Sequence, residues 1–289
     1  MAATTRIEQA LDAAITAAEG PGCPPKLAKA VRYAVFPGGA RIRPRLCYAV
    51  AEACGDNQPA ITDAAAAAIE MLHCASLVHD DMPCFDDASH RRGKLSVHKA
   101  FDERIALLTG DALIVLAFQT LAREAATVPA RWAPLQLLIS RAVGMPLGIV
   151  AGQAWECEPA AELSAYHRAK TGALFAAATL AGAAAAGAQA GPWQMLGERI
   201  GEAYQVADDI RDAVGNAEEL GKPVGRDEVL GRPSAVLEIG LDGSIGRLKT
   251  LVAEAVGSIP DCPGAAGLKA HILSEAGRLL PKNLAQRAA

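Results

Sequence analysis

The chain has 289 residues, 51% of them hydrophobic, enough to bury a sizeable core. A formal net charge of −4 excludes a nucleic-acid affinity driven by bulk positive charge, so any anion binding has to come from local clusters. Seven cysteines form an odd set with no CxxC pair, which argues against a disulfide framework or a zinc module and for a reducing cytoplasm.

In chain order, the opening MAATTRIEQALDAAITAAEG scatters charges among apolar residues and reads as an amphipathic helix, not a signal peptide. Apolar residues recur at spacings of three and four over 6–18, 62–78, 103–125, 163–188 and 193–214. Breakers such as EGPGCPP, FPGG, CGDNQP, GMPLG and GKPVG separate these stretches, and no run alternates regularly enough for a strand. Within 103–125, Asp111 in LTGDALIVLAF looks like a helix N-cap. The uncharged stretch 171–196 is the one candidate membrane span. Its alanines and glycines insert weakly, so it reads as a buried helix, with Trp155 and Trp193 as core residues. The expectation is one all-α domain over 1–289 with about ten helices.

Charge is concentrated in two places. HDDMPCFDD packs Asp80, Asp81, Asp86 and Asp87 into eight positions, and YQVADDIRD carries Asp208, Asp209 and Asp212. On a helix Asp208 and Asp212 share a face, where like charges repel. A lone DDxxD more often marks a solvated face. Here both clusters follow apolar runs bound for the core, where a charge must be paired or metal-bound. Pro83 should end the first helix near Asp81 and loop Asp86 back toward Asp80. Stacked carboxylates suit magnesium, which keeps its waters and recruits phosphate oxygens. Arg91, Arg92 and Lys94 follow the first cluster, Arg41 and Arg43 lie in GGARIRP, Lys170 opens KTGALF, and Lys222 and Arg232 lie downstream of the second cluster. Such forks and point charges bind diphosphates. The pattern describes a magnesium-bridged diphosphate site without a Gly-rich phosphate loop. His73 shares a helical face with Asp80; alone it reads as a core histidine. EMLH also fits half of a di-iron carboxylate site, but no second ExxH occurs.

GGARIRPRL, LHCASLVHDDMPCFD, RRGK, YHRAKTGALF, YQVADDIRD and LGKPVG, in this order and spacing, resemble the trans-isoprenyl diphosphate synthases along essentially the whole chain. The first motif and its surroundings are most similar to bacterial geranylgeranyl diphosphate synthases of the carotenoid branch, including those of purple bacteria. The resemblance implies a single-domain isoprenoid-synthase helical bundle with a central active-site cavity, working in the cytoplasm as a homodimer without a membrane span. It implies three magnesium ions with substrate bound: two on Asp80 and Asp86 and a third on Asp208, with Asp81, Asp209 and Asp212 assisting through waters. Arg91, Lys170, Thr171, Gln205, Lys222 and Arg232 would face the allylic diphosphate. Arg43, His73 and Arg92 would hold isopentenyl diphosphate, and the catalytic set would be Asp80, Asp86, Asp208, Lys170 and Arg91. Farnesyl-producing members carry an aromatic four or five residues before the first aspartate. Here those positions are Ser76 and Ala75, with Leu72 and Ile69 deeper. A helical turn rises ~5.4 Å, about one isoprene unit, so the small residues favour a twenty-carbon product over fifteen. A farnesyl diphosphate synthase is the alternative. A non-catalytic partner subunit is a remoter one, since such chains lose motif aspartates and this chain keeps all six.

Five residues depart from the family pattern: Ala40 for the lysine of GGKR, Ala88 and Ser89 for an acidic pair, Arg232 for a lysine and Glu156 for an aspartate. Loss of the lysine predicts weaker isopentenyl diphosphate binding unless Arg41 or Arg45 compensates. Ala40→Lys should lower the Michaelis constant for isopentenyl diphosphate; an unchanged constant contradicts the weaker-binding reading.

Overall fold

The computed structural model describes residues 3–36, 39–125, 128–158, 168–214 and 234–277. In chain order the elements are α1 (Ala3–Thr16), α2 (Pro25–Val35), α3 (Ile42–Ala53), α4 (Pro59–Asp80), strands β1 (His90–Arg91) and β2 (Lys94–Leu95), α5 (Val97–Ala100), α6 (Glu103–Ala125), α7 (Pro129–Val143) and α8 (Ile149–Ala154). A π-turn over Arg168–Gly172 then leads into α9 (Ala173–Ala186), followed by α10 (Gln194–Val214), α11 (Ala235–Gly257) and α12 (Ala265–Ala276). Two compact units divide the chain: Met1–Glu52 with Asp56–Ile139 and Ala181–Ala188, and Ala53–Gly55 with Ser140–Leu180 and Gln189–Ala289.

In the first unit α4 is the central helix, packed against α1, α2 and α6. Its alanine run Ala64–Ala68 and Ile69, Met71, Leu72, Cys74 and Ala75 are all buried, as expected of a helix apolar on every side. Near its C-terminal end, Val78 and Met82 pack with Ala30, Val97 and Ala106. Burying each such large side chain is worth roughly 1.5–3 kcal/mol, so the segment carrying the first acidic cluster is anchored from below. Asp102 precedes α6, and its carboxylate accepts the Ile105 amide at 2.8 Å. Asp111 is therefore not the N-cap expected from sequence; it lies exposed within α6. The Thr-Gly before it does not break the helix. Gly110 instead lets α6 pass close to α4, where a Cβ would fall 2.0 Å from His79 Nε2.

β1 and β2 pair antiparallel, His90 with Leu95 and Arg91 with Lys94. Arg92 (φ 53°) and Gly93 (φ 76°) form the turn. Both central residues are left-handed, as a two-residue hairpin of this hand requires. Strands of two residues leave no alternating run, so nothing in the hydrophobic pattern marks them.

In the second unit α10 packs along α11 through Ala203, Val206, Ala207, Ile210, Leu248 and Leu251. Gly240, at φ 72°, kinks α11. Gly197 lies flush on α9, where a Cβ would meet the Ala176 Cα at 2.5 Å. Trp193 is buried as expected, whereas Trp155 is 36% exposed and so is not a core residue.

Among the described residues three helices, not one, are long and apolar enough to cross a membrane by length and composition: Pro59–Asp80, Glu103–Glu124 and Ala169–Ala186. The first two do not read as uncharged stretches because Asp63 and Glu70 interrupt one and Asp111 the other. Pro59–Asp80 and Ala169–Ala186 are mostly buried inside the protein, and Glu103–Glu124 less so.

Candidate active site

In the first unit α4 ends at Asp80, and the Asp86 amide donates to the Asp80 carbonyl oxygen at 3.0 Å. The Asp87 amide donates to Met82 O and the Ala88 amide to Asp81 O, so the loop after Pro83 closes over the end of the helix. Asp87 itself is left-handed (φ 41°), with its carboxylate on Lys99 and 3.4 Å from His98. The looping-back read from Pro83 is thus present in the backbone.

Asp81 is buried beneath this loop and takes the Arg91 guanidinium through Nε at 3.0 Å and through Nη2. Burial pushes the Asp81 carboxyl up, the Arg91 bonds hold it down, and the neighbouring Asp80 and Asp86 charges push it up again. Burial also opposes the Arg91 charge, but the Asp81 bonds outweigh it and keep the guanidinium cationic. Three carboxylates thus lie close enough to repel, and all offer hard oxygen donors, which fits magnesium. Among the described residues no three such side chains already close a metal cage. That is compatible with an ion that completes its octahedron with waters and phosphate oxygens.

His73 stands two turns before Asp80, half-buried, with Arg92 Nη2 3.5 Å from its Nε2. Burial, then the charges of Arg43, Arg92, Arg91 and Arg41, hold the imidazole well below its ordinary range and therefore neutral. Of these four arginines Arg91 is paired with Asp81 and Arg41 with Glu8 and Glu70, while Arg43 and Arg92 stand near the neutral His73 ring, where cations could meet an anion. Arg41 cannot compensate for Ala40. Its side chain is fully buried and tied to Glu8, Glu70 and the Val35 carbonyl. Ala40 itself is exposed. Glu70, half of the EMLH pattern, is occupied by Arg41 and not by a metal partner.

On the α4 wall Leu72 and Ala75 are buried and Ser76 is half-buried, its hydroxyl donating to the His73 carbonyl at 2.8 Å.

In the second unit Lys170 and Thr171 lie on the π-turn before α9, packed against α8 and α10. The close fit to α8 depends on Gly152, where a Cβ would fall 2.5 Å from the Lys170 backbone nitrogen. Lys170 Nζ donates to Glu156 Oε1 at 2.5 Å. A relay follows: Thr171 Oγ1 donates to Gln205 Oε1 at 3.2 Å, Gln205 Nε2 donates to Asp209 Oδ1 at 3.0 Å, and the Ala235 amide donates to Asp209 Oδ2 at 2.8 Å. Asp209 therefore sits on the N-terminus of α11, where orphan amides and the helix dipole favour a carboxylate. Asp208, half-buried, accepts from Arg211 at 3.1 Å, and Asp212, one turn on, is buried. Lys222 and Arg232 lie outside the described residues.

Sequence reasoning missed Glu156 as the partner of Lys170, Asp209 as a cap, and the Arg41–Glu8–Glu70 group. A glutamate in place of an aspartate at 156 was the only local sign of the first; the others depend on residues distant in the chain.

His73 carries a pH dependence. The unfolded chain protonates it near pH 6.5 while the folded protein does not, so its contribution is present above pH 6.5 and lost as the pH falls below it. The thermal midpoint should drop between pH 7 and 5 more steeply in the wild type than in His73→Gln. Parallel profiles would contradict the neutral ring.

The polyprenyl synthetase family model matches residues 24–264. A geranylgeranyl diphosphate synthase of Cereibacter sphaeroides is 57% identical over 99% of this chain and 100% of its own, and one of Rhodobacter capsulatus is 50% identical over 93% of each. A geranyltransferase structure from Helicobacter pylori, complexed with magnesium and isoprenyl diphosphate, superposes with a TM-score of 0.80 at 29% identity, covering 96% of each chain. With its all-α fold, this chain belongs to the polyprenyl synthetase family.

Proposed function

We propose that the protein is a magnesium-dependent trans-prenyltransferase that condenses isopentenyl diphosphate with allylic diphosphates to give geranylgeranyl diphosphate. The observation that carries this reading is the first acidic loop, where the Asp86 amide closes on Asp80 and Arg91 and Arg92 follow at the hairpin. The relatives, geranylgeranyl diphosphate synthases 57% and 50% identical, support the product.

In this reading Asp80 and Asp86 hold two magnesium ions and Asp208 a third, with Asp81, Asp209 and Asp212 acting through waters. Bound magnesium neutralises charge on the departing diphosphate. Arg91, Lys170, Thr171 and Gln205, together with Lys222 and Arg232, face the allylic diphosphate. Lys170 is already held by Glu156, so an arriving diphosphate competes with that carboxylate. Arg43, His73 and Arg92 hold isopentenyl diphosphate with its double bond toward the allylic carbon. The allylic C–O bond breaks to give diphosphate and an allylic cation, the double bond attacks, and the released diphosphate takes the proton that restores the alkene. Stabilising charge on the leaving group is the main contribution of the protein.

The polyprenyl match over 24–264 supports reading 1–289 as one catalytic domain. A cytoplasmic location and a place in carotenoid synthesis belong to the same reading. The burial of Pro59–Asp80 supports the absence of a membrane span. Leu107, Leu108 and Val115, each about half exposed on α6, support a homodimer.

Asp80→Asn and Asp208→Asn should each lower turnover by about a hundredfold or more; near-normal turnover in both would contradict the metal assignment. Ala75→Phe should shorten the product to fifteen carbons, and an unchanged product distribution would show that position 75 does not line the tunnel.

A further inference from the structure

We propose that Arg41, Glu70 and Glu8 form a buried clamp that presets the isopentenyl diphosphate half-site, with Arg41 and Glu70 as positioning residues for that substrate. The proposal rests on the function proposed above.

Arg41 Nη1 donates to Glu70 Oε1 at 2.7 Å, Nε to Glu8 Oε1 at 2.8 Å, and Nη2 to the Val35 carbonyl at 2.8 Å. One guanidinium thus ties α1, the last residue of α2 and α4 together, with its side chain wholly excluded from solvent. The backbone of Arg41 is left-handed, φ 50°. A residue with a side chain holds that conformation only where its surroundings over-determine it.

Each residue assigned to isopentenyl diphosphate is within one step of this clamp. Arg43 is two residues along the chain from Arg41. His73 is one helical turn beyond Glu70. Arg92 rests on Gly39, two residues before Arg41: a Cβ at Gly39 would fall 2.8 Å from the Arg92 Cζ. Arg92 is itself left-handed, at the tip of the hairpin. The clamp therefore sets the turn on which Arg43 and Arg92 depend and the helix face that carries His73. A buried ion pair is generally no better for stability than an apolar packing of the same volume. What it adds is a fixed geometry: a planar fork satisfied by two carboxylates and a carbonyl admits one orientation. Glu8 and Glu70 more than offset the Arg41 charge locally, so Arg41 offers no cation to the diphosphate, which falls to Arg43 and Arg92. With Ala40 in place of a lysine, fewer cations hold that substrate, and the placement of the remaining ones matters more.

The test is steady-state kinetics with each substrate varied separately for Glu70→Gln, Glu8→Gln and the double variant Arg41→Met/Glu70→Met, which leaves no lone buried charge on Arg41 or Glu70. In Glu70→Gln and the double variant the KM for isopentenyl diphosphate should rise about tenfold while that for the allylic primer stays within about twofold; in Glu8→Gln the rise should be about threefold. A wild-type KM for isopentenyl diphosphate in the Glu70 variants, or equal rises in both constants, overturns the clamp as a positioning device. If both Glu70 variants fail to fold, Glu8→Gln decides, since an unchanged constant there overturns the proposal. Absence of turnover by the wild type would overturn the functional reading and the clamp's purpose with it; wild-type turnover with unaltered variants overturns the clamp alone.

Discussion

The crowding of Asp80, Asp81 and Asp86 at the end of one buried helix is the constraint from which the rest of the first unit follows. Like charges at this range repel, more strongly where burial lowers the local dielectric. The most buried of the three, Asp81, takes the Arg91 guanidinium from β1. That ion pair stabilises the loop and draws the following arginine into place beside His73. The remaining negative potential is suited to divalent cations, and the arginines around His73 to the anions that such cations carry. Acid and base are thus sorted by burial: the deepest carboxylate pairs with protein, and those nearer the surface are suited to magnesium.

The second unit solves a related problem with hydrogen bonds. Asp209 has its carboxylate on the first amide of α11 and on Gln205, which also accepts from Thr171. The same relay fixes three things: the π-turn carrying Lys170, the helix carrying Asp208 and Asp212, and the start of α11. A substitution at Gln205 would disturb all three together. Glu156 holds Lys170 extended across the same turn, and the absence of a side chain at Gly152 lets that turn approach α8.

Much of this was legible in the sequence. The 3–4 spacing located α4, α6 and α10 to within a few residues, because each is long and carries an uninterrupted apolar face. Both acidic clusters and their basic neighbours stood out by composition, and Pro83 announced the loop. Shorter or more polar helices such as α2, α3 and α12 were not located, since too few turns are present for the period to rise above background. The hairpin was invisible because two-residue strands have no alternation. Asp111 was misread because Thr-Gly-Asp looks like a helix start when the packing of His79 on Gly110 cannot be seen. The pairings of Arg41 with Glu8 and Glu70, and of Asp209 with Ala235, join residues far apart in sequence, and only the tertiary fold shows which charge meets which.

What the site makes is the decisive property. Purified protein supplied with isopentenyl diphosphate, magnesium and, separately, five-, ten- and fifteen-carbon allylic diphosphates should yield a dominant twenty-carbon diphosphate from each. A dominant fifteen-carbon product would keep the chemistry and contradict the small-residue wall at Ala75 and Ser76; no product from any primer would contradict the reading of the acidic clusters as a catalytic metal site.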